Sequence, residues 1–319
     1  MNTNYTGYTN MKILITGVHG FVGSNLVKAL SKEHTIYGLD IISPQKDGVS
    51  FTFSWDYLDK EDGIPDVEAI IHLAGKAHDT KNQTVSDVYF KVNTGLTQKI
   101  YDYFLKSNAK RFIFFSTAKA AADKVEGVLT EDVVPSPVGP YGESKIAAEK
   151  YIQEHLVDDK QVYILRPCMI HGPGNKGNLN LLYGVVKKGI PWPLGAFENR
   201  RTFTSIENLC FVINGLLTKN VPTGIYNMGD DEALSTNELI EEICKSLGKK
   251  AHIWKLPKGL MYGVAKIGGA LHLPLDPERL RKLTENYISS NAKIKKALGV
   301  EKMPVDARVG LQKTLESFK

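Results

Sequence analysis

Cysteine is scarce in this chain of 319 residues: Cys168, Cys210 and Cys244 are far apart, odd in number and outside any metal-ligand spacing. That excludes a disulfide framework, offers no metal site, and suits a reducing cytoplasm. Long basic runs are missing too. The net charge is +5, with Lys and Arg dispersed among the acids, a balance suited to small anionic ligands and not to nucleic acid. No apolar run is long enough to span a bilayer. The nearest to one, Gly259 to Leu273, contains Lys266 and reads either as a helix packed in a C-terminal lobe or as a patch facing a membrane surface or a partner. Residues 1–10 have neither the charged nor the apolar segment of a secretion signal; a disordered extension is expected there, with the fold starting at Met11. Internal repeats and low-complexity tracts are absent as well.

What is present is an alternation of strand-like and helix-like segments with 42% apolar residues, enough for one large α/β unit or two modest domains. Lys12-Ile13-Leu14-Ile15-Thr16 reads as a short strand running straight into Gly17-Val18-His19-Gly20-Phe21-Val22-Gly23, with a helix from Ser24. Glycines at this G-x-x-G-x-x-G spacing permit a tight turn, close approach of backbone to a pyrophosphate, and close packing of helix on strand, with the phosphates at the helix N-terminus. A second strand, Thr35 to Leu39, ends in Asp40, where a carboxylate accepts hydrogen bonds from the hydroxyls of an adenosine ribose. No Arg follows it to receive a 2′-phosphate, so NAD is expected in preference to NADP.

Further strands are expected at 50–53, 69–73, 111–115, 162–165 and 224–228. Beyond the first of these lie Asp56 and Tyr57, which either flank an adenine ring or serve as a capping acid and a core aromatic. The next runs into Leu73-Ala74-Gly75-Lys76, with His72 reading as a core histidine. Then come Ser116-Thr117, whose hydroxyls either point into a cleft or cap a turn, and Pro167-Cys168, where the cysteine reads as packing. Gly139-Pro140 punctuates a loop before an Ala-rich helix that should carry Tyr141 and Lys145 on one face. A phenol titrates near ~10 when unperturbed, and a neighbouring ammonium favours its phenolate. The pair is therefore either a proton-transfer unit or a core aromatic beside a solvated charge. From His171 onward the Gly-rich loop to Asn178, Pro191-Trp192-Pro193 and Arg200-Arg201 are too irregular for another βαβ layer, so a substrate lobe is expected to start there. Ser235-Thr236-Asn237-Glu238 is a capping box that should open a helix.

In this order, Gly17/Gly20/Gly23, Asp40, His72-Leu73-Ala74-Gly75, Ser116-Thr117 and Tyr141-x-x-x-Lys145 resemble the extended short-chain dehydrogenase/reductases, and more narrowly the nucleotide-sugar NAD-dependent epimerase/dehydratase family. The resemblance runs from Met11 to the C-terminus. It implies the α/β class: a Rossmann doubly wound parallel sheet over 11–170 and a smaller C-terminal substrate-binding lobe over 171–319, with the strand near 224–228 able to return to the sheet. It implies that Tyr141 is the catalytic base, that Lys145 holds the nicotinamide ribose and lowers the tyrosine pKa, and that Thr117 bonds the reacting oxygen of the sugar. NAD would meet Gly17, Gly20, Phe21, Val22, Gly23, Asp40, Asp56, Tyr57, Leu73, Ala74, Gly75, Asn93, Ser116, Tyr141, Lys145 and Pro167. The nucleotide sugar would meet Lys76, Thr117, Lys119, Asn178, Arg201 and, more weakly, Arg279, with Arg200 the spare of its pair. A homodimer through a four-helix bundle that includes the Tyr141 helix is also implied.

The departures narrow the activity. Thr117 is followed by Ala118-Lys119, where the family's 4,6-dehydratases carry Asp-Glu, so dehydration has no machinery. Lys119-Ala120-Ala121-Ala122 stands where typical 4-epimerases continue Val-Tyr-Gly, and some members resembling 4-keto-sugar reductases carry a lysine there. His171 replaces the usual tyrosine. The expected activity is a 4-epimerase of a UDP-hexose or UDP-N-acetylhexosamine destined for surface polysaccharide. The alternatives are an NAD(P)H-dependent reductase of a UDP-4-keto-6-deoxy sugar and a non-catalytic NAD-binding scaffold, and the intact Thr117, Tyr141 and Lys145 speak against the last.

Overall fold

Apolar runs such as Ile13-Leu14-Ile15 and Phe112-Ile113-Phe114-Phe115 can leave neither face in water, and a parallel sheet covered on both sides is the structure that buries them. The computed structural model describes residues 10–319 except 43, 61–62, 77–84, 176 and 272–274. Almost all of the expected N-terminal extension, and the end of the 259–273 stretch, therefore lie outside the described residues.

The first half runs β1 (Lys12–Thr16), α1 (Phe21–Leu30), β2 (Thr35–Leu39), β3 (Phe51–Phe53), β4 (Ala69–His72), α2 (Ser86–Tyr89), α3 (Leu96–Lys106), β5 (Arg111–Phe115), α4 (Ala118–Ala121), β6 (Val128–Leu129), α5 (Pro140–Glu154) and β7 (Gln161–Pro167). A 3-10 turn occupies Trp55–Asp59, and a π-helical turn at Phe90–Gly95 joins α2 to α3. The second half adds β8 (Met169–His171), α6 (Asn178–Lys187), β9 (Phe203–Ser205), α7 (Ile206–Thr218), β10 (Gly224–Met228), α8 (Thr236–Ser246), α9 (Lys258–Ala270), α10 (Pro277–Thr284), β11 (Ile288–Ser289), α11 (Ala292–Leu298) and α12 (Ala307–Glu316).

The main sheet has seven strands in the order β10-β7-β5-β4-β1-β2-β3, each pair parallel. Alternate residues feed two cores. Ile13, Ile15, Ile71, Ile113 and Leu165 pack with α1 and α7, while Leu14, Ile70, Phe112, Phe114 and Ile164 pack with α3 and α5. The direction of winding reverses between β1 and β4, and the carboxyl ends of strands at such a switch point open the crevice where doubly wound sheets bind ligands.

Two details differ from the sequence expectation. The first helix begins at Phe21, so Gly23 lies inside its first turn. A Cβ there would stand 2.4 Å from the Gly17 carbonyl oxygen, so the bare Cα is what lets the helix abut the loop. Beyond residue 170, the strand near 224–228 returns to the sheet as the sequence allowed, but two helices leave the lobe with it. β10 joins the sheet as an edge strand beside β7, and α7 and α11 pack on the sheet with α1. The remainder gathers a separate core from Leu179, Trp192, Phe203, Ile243, Met261, Leu280 and Leu315. The capping box opens α8 as expected, with Ser235 Oγ accepting the Glu238 N–H at 3.0 Å and the Glu238 carboxylate accepting the Ser235 N–H at 2.7 Å.

Candidate active site

The glycine loop delivers the N-terminus of α1 to the crevice. Gly17 has φ +70, and its missing Cβ would lie 3.1 Å from Ala74 Cα and N, so this residue alone satisfies both the left-handed turn and the close approach to the end of β4. Gly20 caps α1 without a side chain, and no acid stands in the first turn, which leaves the helix N-terminus suited to an anion. Phe21 and Val22 begin that turn, the Phe21 ring 3.4 Å from where a Gly172 Cβ would be. Asp40 closes β2 beside the loop. Its Oδ2 accepts the His19 N–H at 3.1 Å and its Oδ1 the Ile41 N–H at 2.8 Å. His19, which also brings Nδ1 within 3.2 Å of Asp40, is a positioning contact that the glycine spacing did not reveal.

At the end of β4, donor counting settles a tautomer. The Thr97 hydroxyl donates to the Asn93 carbonyl at 2.6 Å, so His72 Nε2, 2.9 Å from the same oxygen, must be the donor to it. His72 Nδ1 then accepts from Thr16 Oγ1 at 2.7 Å, and that oxygen accepts the N–H groups of Leu73 and Ala74 at 3.1 and 3.0 Å. The histidine is neutral: burial first, then the charge of Lys145, pushes its pKa well below the usual value. His72 is thus a core histidine, as read from the sequence, and one that sets the cofactor-side loop. Asn93, fully buried in the π-helical turn, clamps the next residues. Its Oδ1 accepts the Lys76 N–H at 2.7 Å, and its Nδ2 donates to the Lys76 carbonyl and to Ser144 Oγ. A Cβ on Gly75 would come within 2.9 Å of Asn93 Oδ1 and 3.1 Å of Lys145 Nζ. The Lys76 backbone is thus held while the residue itself is exposed.

Helix α5 begins with Gly139 at φ +85 and Pro140 in its first turn, and presents Tyr141, Lys145 and Glu149 on one face. The Tyr141 side chain is hydrogen-bonded to Thr117, which also caps α4, and the ring of Tyr89 meets it edge-on at 6.2 Å. Lys145 Nζ donates to the Phe115 carbonyl at 2.8 Å. The expected effect of Lys145 on Tyr141 is not what the structure shows. Burial raises the phenol's pKa, with Thr117 opposing and Tyr89 adding to the rise, and burial lowers Lys145 to about 8 despite Glu149. Ser116 likewise departs from expectation. Its hydroxyl donates to Glu149, which lies under the site and holds Arg166 through Nε at 3.0 Å and Nη2 at 2.6 Å, both side chains buried. Pro167 ends β7 beside Met228.

The residues expected to meet the sugar are scattered. Lys119 Nζ donates to the Asp123 carbonyl at 2.7 Å and lies over the Tyr287 ring; Arg281 bridges Asp123 and Glu285. Arg201 reaches the Lys282 carbonyl, and burial pulls its guanidinium below the ordinary range against the pull of Glu285. Arg200 is tied to Glu238 at 2.9 Å, away from Arg201. Asn178, at the start of α6, is exposed, and Arg279 pairs with Asp276 on the outer face of α10. Asp56 faces solvent with Lys60 at 2.9 Å and Ser54, which together hold its pKa at about 2; Tyr57 packs on Phe53 and takes Lys60 over its ring. Asp56 is thus paired within its own turn without capping it, and Tyr57 packs against the sheet core. Burial pushes the Cys168 thiol up to about 12, in keeping with a packing residue.

Residues 13–229 match the NAD dependent epimerase/dehydratase family. A UDP-glucose 4-epimerase of Vibrio cholerae is 32% identical over 261 residues, covering 77% of this chain and 78% of its own length. An N-acetyl-alpha-D-glucosaminyl-diphospho-ditrans,octacis-undecaprenol 4-epimerase of Escherichia coli O157:H7 is 27% identical, with 90% and 85% covered. The fold matches that of a UDP-glucuronic acid 4-epimerase from Bacillus cereus solved with NAD, at a TM-score of 0.74 and 22% identity over 97% of this chain and 99% of that one. The glycine loop, Asp40 and the clamped Leu73–Lys76 segment fit NAD, and the chain belongs to the NAD dependent epimerase/dehydratase family of extended short-chain dehydrogenase/reductase enzymes.

Proposed function

We propose that the protein is a nucleotide-sugar 4-epimerase acting on a UDP-hexose or UDP-N-acetylhexosamine. The observation that carries this reading is the hydrogen bond between Thr117 and Tyr141 beside a buried Lys145, at a position followed by Ala118 and an ion-paired Lys119. An alcohol can exchange its proton there, but loss of water would need a carboxylic acid and base that the segment lacks.

Gly17, Gly20 to Gly23, Asp40 and the backbone of Leu73 to Gly75 hold NAD, and Asn93 and His72 keep that backbone in place. NAD held there would accept the hydride from C4 and return it to the other face, so that no cofactor is consumed. Thr117 orients the C4 hydroxyl and Tyr141 takes its proton, then returns it once the sugar has turned to present its other face. Lys145, whose ammonium lies beside Gly75 and the Phe115 carbonyl, serves the ribose. Arg201 holds the diphosphate, since its planar donors suit phosphate oxygens. The protein works in the cytoplasm as a homodimer, with the exposed Val85, Val88 and Phe90 near α5 as a subunit contact. Lys119 favours a second reading, the 4-keto-sugar reductase, in which turnover ends after one hydride transfer.

The purified protein is to be incubated with UDP-glucose, UDP-galactose, UDP-GlcNAc and UDP-GalNAc in turn without added cofactor, followed by NMR and by release of bound nucleotide. The expected result is a C4 epimer from one pair, with NAD recovered from the protein. Absence of conversion, with reduction of a UDP-4-keto sugar that requires added NADH or NADPH, would replace the epimerase by the reductase.

A further inference from the structure

Helix α9 carries apolar side chains on two sides. Met261, Ala265 and Gly268 are buried on the side that faces the lobe core. Leu260, Val264, Ile267 and Leu271 recur at intervals of four, three and four residues and so line a second stripe, each 44–64% exposed. An amphipathic aromatic, Trp254, 54% exposed, precedes the helix. A contiguous apolar strip of this kind marks a surface that something covers.

The charges around it are of one sign. From Ile243 to Leu275 the chain has no carboxylate, while Lys245, Lys249, Lys250, Lys255, Lys258 and Lys266 are all exposed. Of the acids that border this segment, Glu242 pairs with Arg308, Asp276 with Arg279 and Glu278 with Lys282, while Glu241 is exposed on α8. The same character continues onto α6. Exposed Ile190 shares a shallow cavity with Lys249, Lys250 and His252, and Lys249 Nζ reaches the Lys187 carbonyl at 2.8 Å. Lysine stems can lie along apolar surface with their ammonium groups beyond it, and Trp suits a boundary that is apolar on one side and wet on the other.

A second copy of the chain would bring lysines against lysines. The partner that supplies acyl chains and negative charge together is an anionic phospholipid surface. We propose that the face from Trp254 to Leu271 lies on such a bilayer, with the stripe at the boundary between headgroups and acyl chains and the lysines among the phosphates. The helix has 13 residues and cannot cross the bilayer, so the contact is monotopic. This surface is separate from the catalytic groups, and the inference holds whichever sugar is turned over.

Co-sedimentation with vesicles of phosphatidylcholine, with and without phosphatidylglycerol, tests it. The variants are I267E/L271E and K255E/K266E, each checked for NAD binding and thermal midpoint. Wild type is expected to sediment with the phosphatidylglycerol vesicles at low salt, and each variant to bind at least about tenfold more weakly while still binding NAD. Equal sedimentation with both vesicle types, or undiminished binding by folded I267E/L271E, would overturn the proposal. So would a wild type that ignores vesicles but loses self-association in I267E/L271E, which would make the stripe a subunit contact. Turnover of soluble nucleotide sugar without vesicles reads the catalytic proposal independently.

Discussion

Around the glycine loop, groups on the cofactor side are braced: Leu73 and Ala74 by buried Thr16, Lys76 by buried Asn93, Lys145 by the Phe115 carbonyl, and Asp40 by half-buried His19. Among the candidate sugar contacts, by contrast, the long side chains are held by ion pairs near the surface, as in Lys119 with Asp123, which Arg281 also holds together with Glu285. The difference follows from what each side recognises. Holding a constant cofactor through backbone needs fixed backbone, and fixed backbone needs buried hydrogen bonds whose loss is costly. Side chains that exchange ion-pair partners at a partly exposed rim lose little in doing so.

The comparison breaks most sharply at Glu149. Glu149→Ala leaves Arg166 buried without its partner and is expected to cost about 3–5 kcal/mol in urea unfolding, whereas Arg200→Ala, which removes an exposed pair, should stay within about 1 kcal/mol. Equal costs would mean that the two halves are not built differently. Next in size is Tyr141→Phe. Turnover is expected to fall at least about a hundredfold with NAD affinity unchanged, and a turnover close to wild type would remove Tyr141 from proton transfer.

The smallest effect concerns pH. Because burial depresses Lys145 from 10.5 to about 8, its charged form costs stability below about pH 8, and the cost is relieved as pH rises towards 10.5. Cofactor affinity has the opposite sign, since the ammonium that serves the ribose is lost above about pH 8. NAD binding measured by protein fluorescence should therefore weaken between pH 7 and 9.5 by a few-fold, and Lys145→Met should flatten that dependence. A wild-type profile already flat would detach Lys145 from the cofactor.

Locally encoded features were legible. Glycine spacing, strand-length apolar runs, the Ser235 capping box and the Tyr141/Lys145 face each follow from backbone sterics or from a period of 2 or 3.6 residues. Pairings between distant segments were not. Glu149 reads as one more charge on a helix, Ser116 as a strand-end hydroxyl, and Arg166 as the residue before a proline; only their convergence under the site makes them one network. Asp56 shows the converse: its position after a strand suited an adenine contact, yet Lys60, one helical turn on, and Ser54 occupy it.

By itself, then, the sequence determined the parallel sheet, the dinucleotide loop and the helix that carries Tyr141, because steric and periodic rules act on neighbours in the chain. The neutral tautomer of His72, the direction of the Lys145 ammonium, the engagement of Lys119 and the second apolar stripe of α9 were decided only by tertiary structure. Each depends on which distant atom lies within hydrogen-bond or contact range, and no local pattern carries that distance.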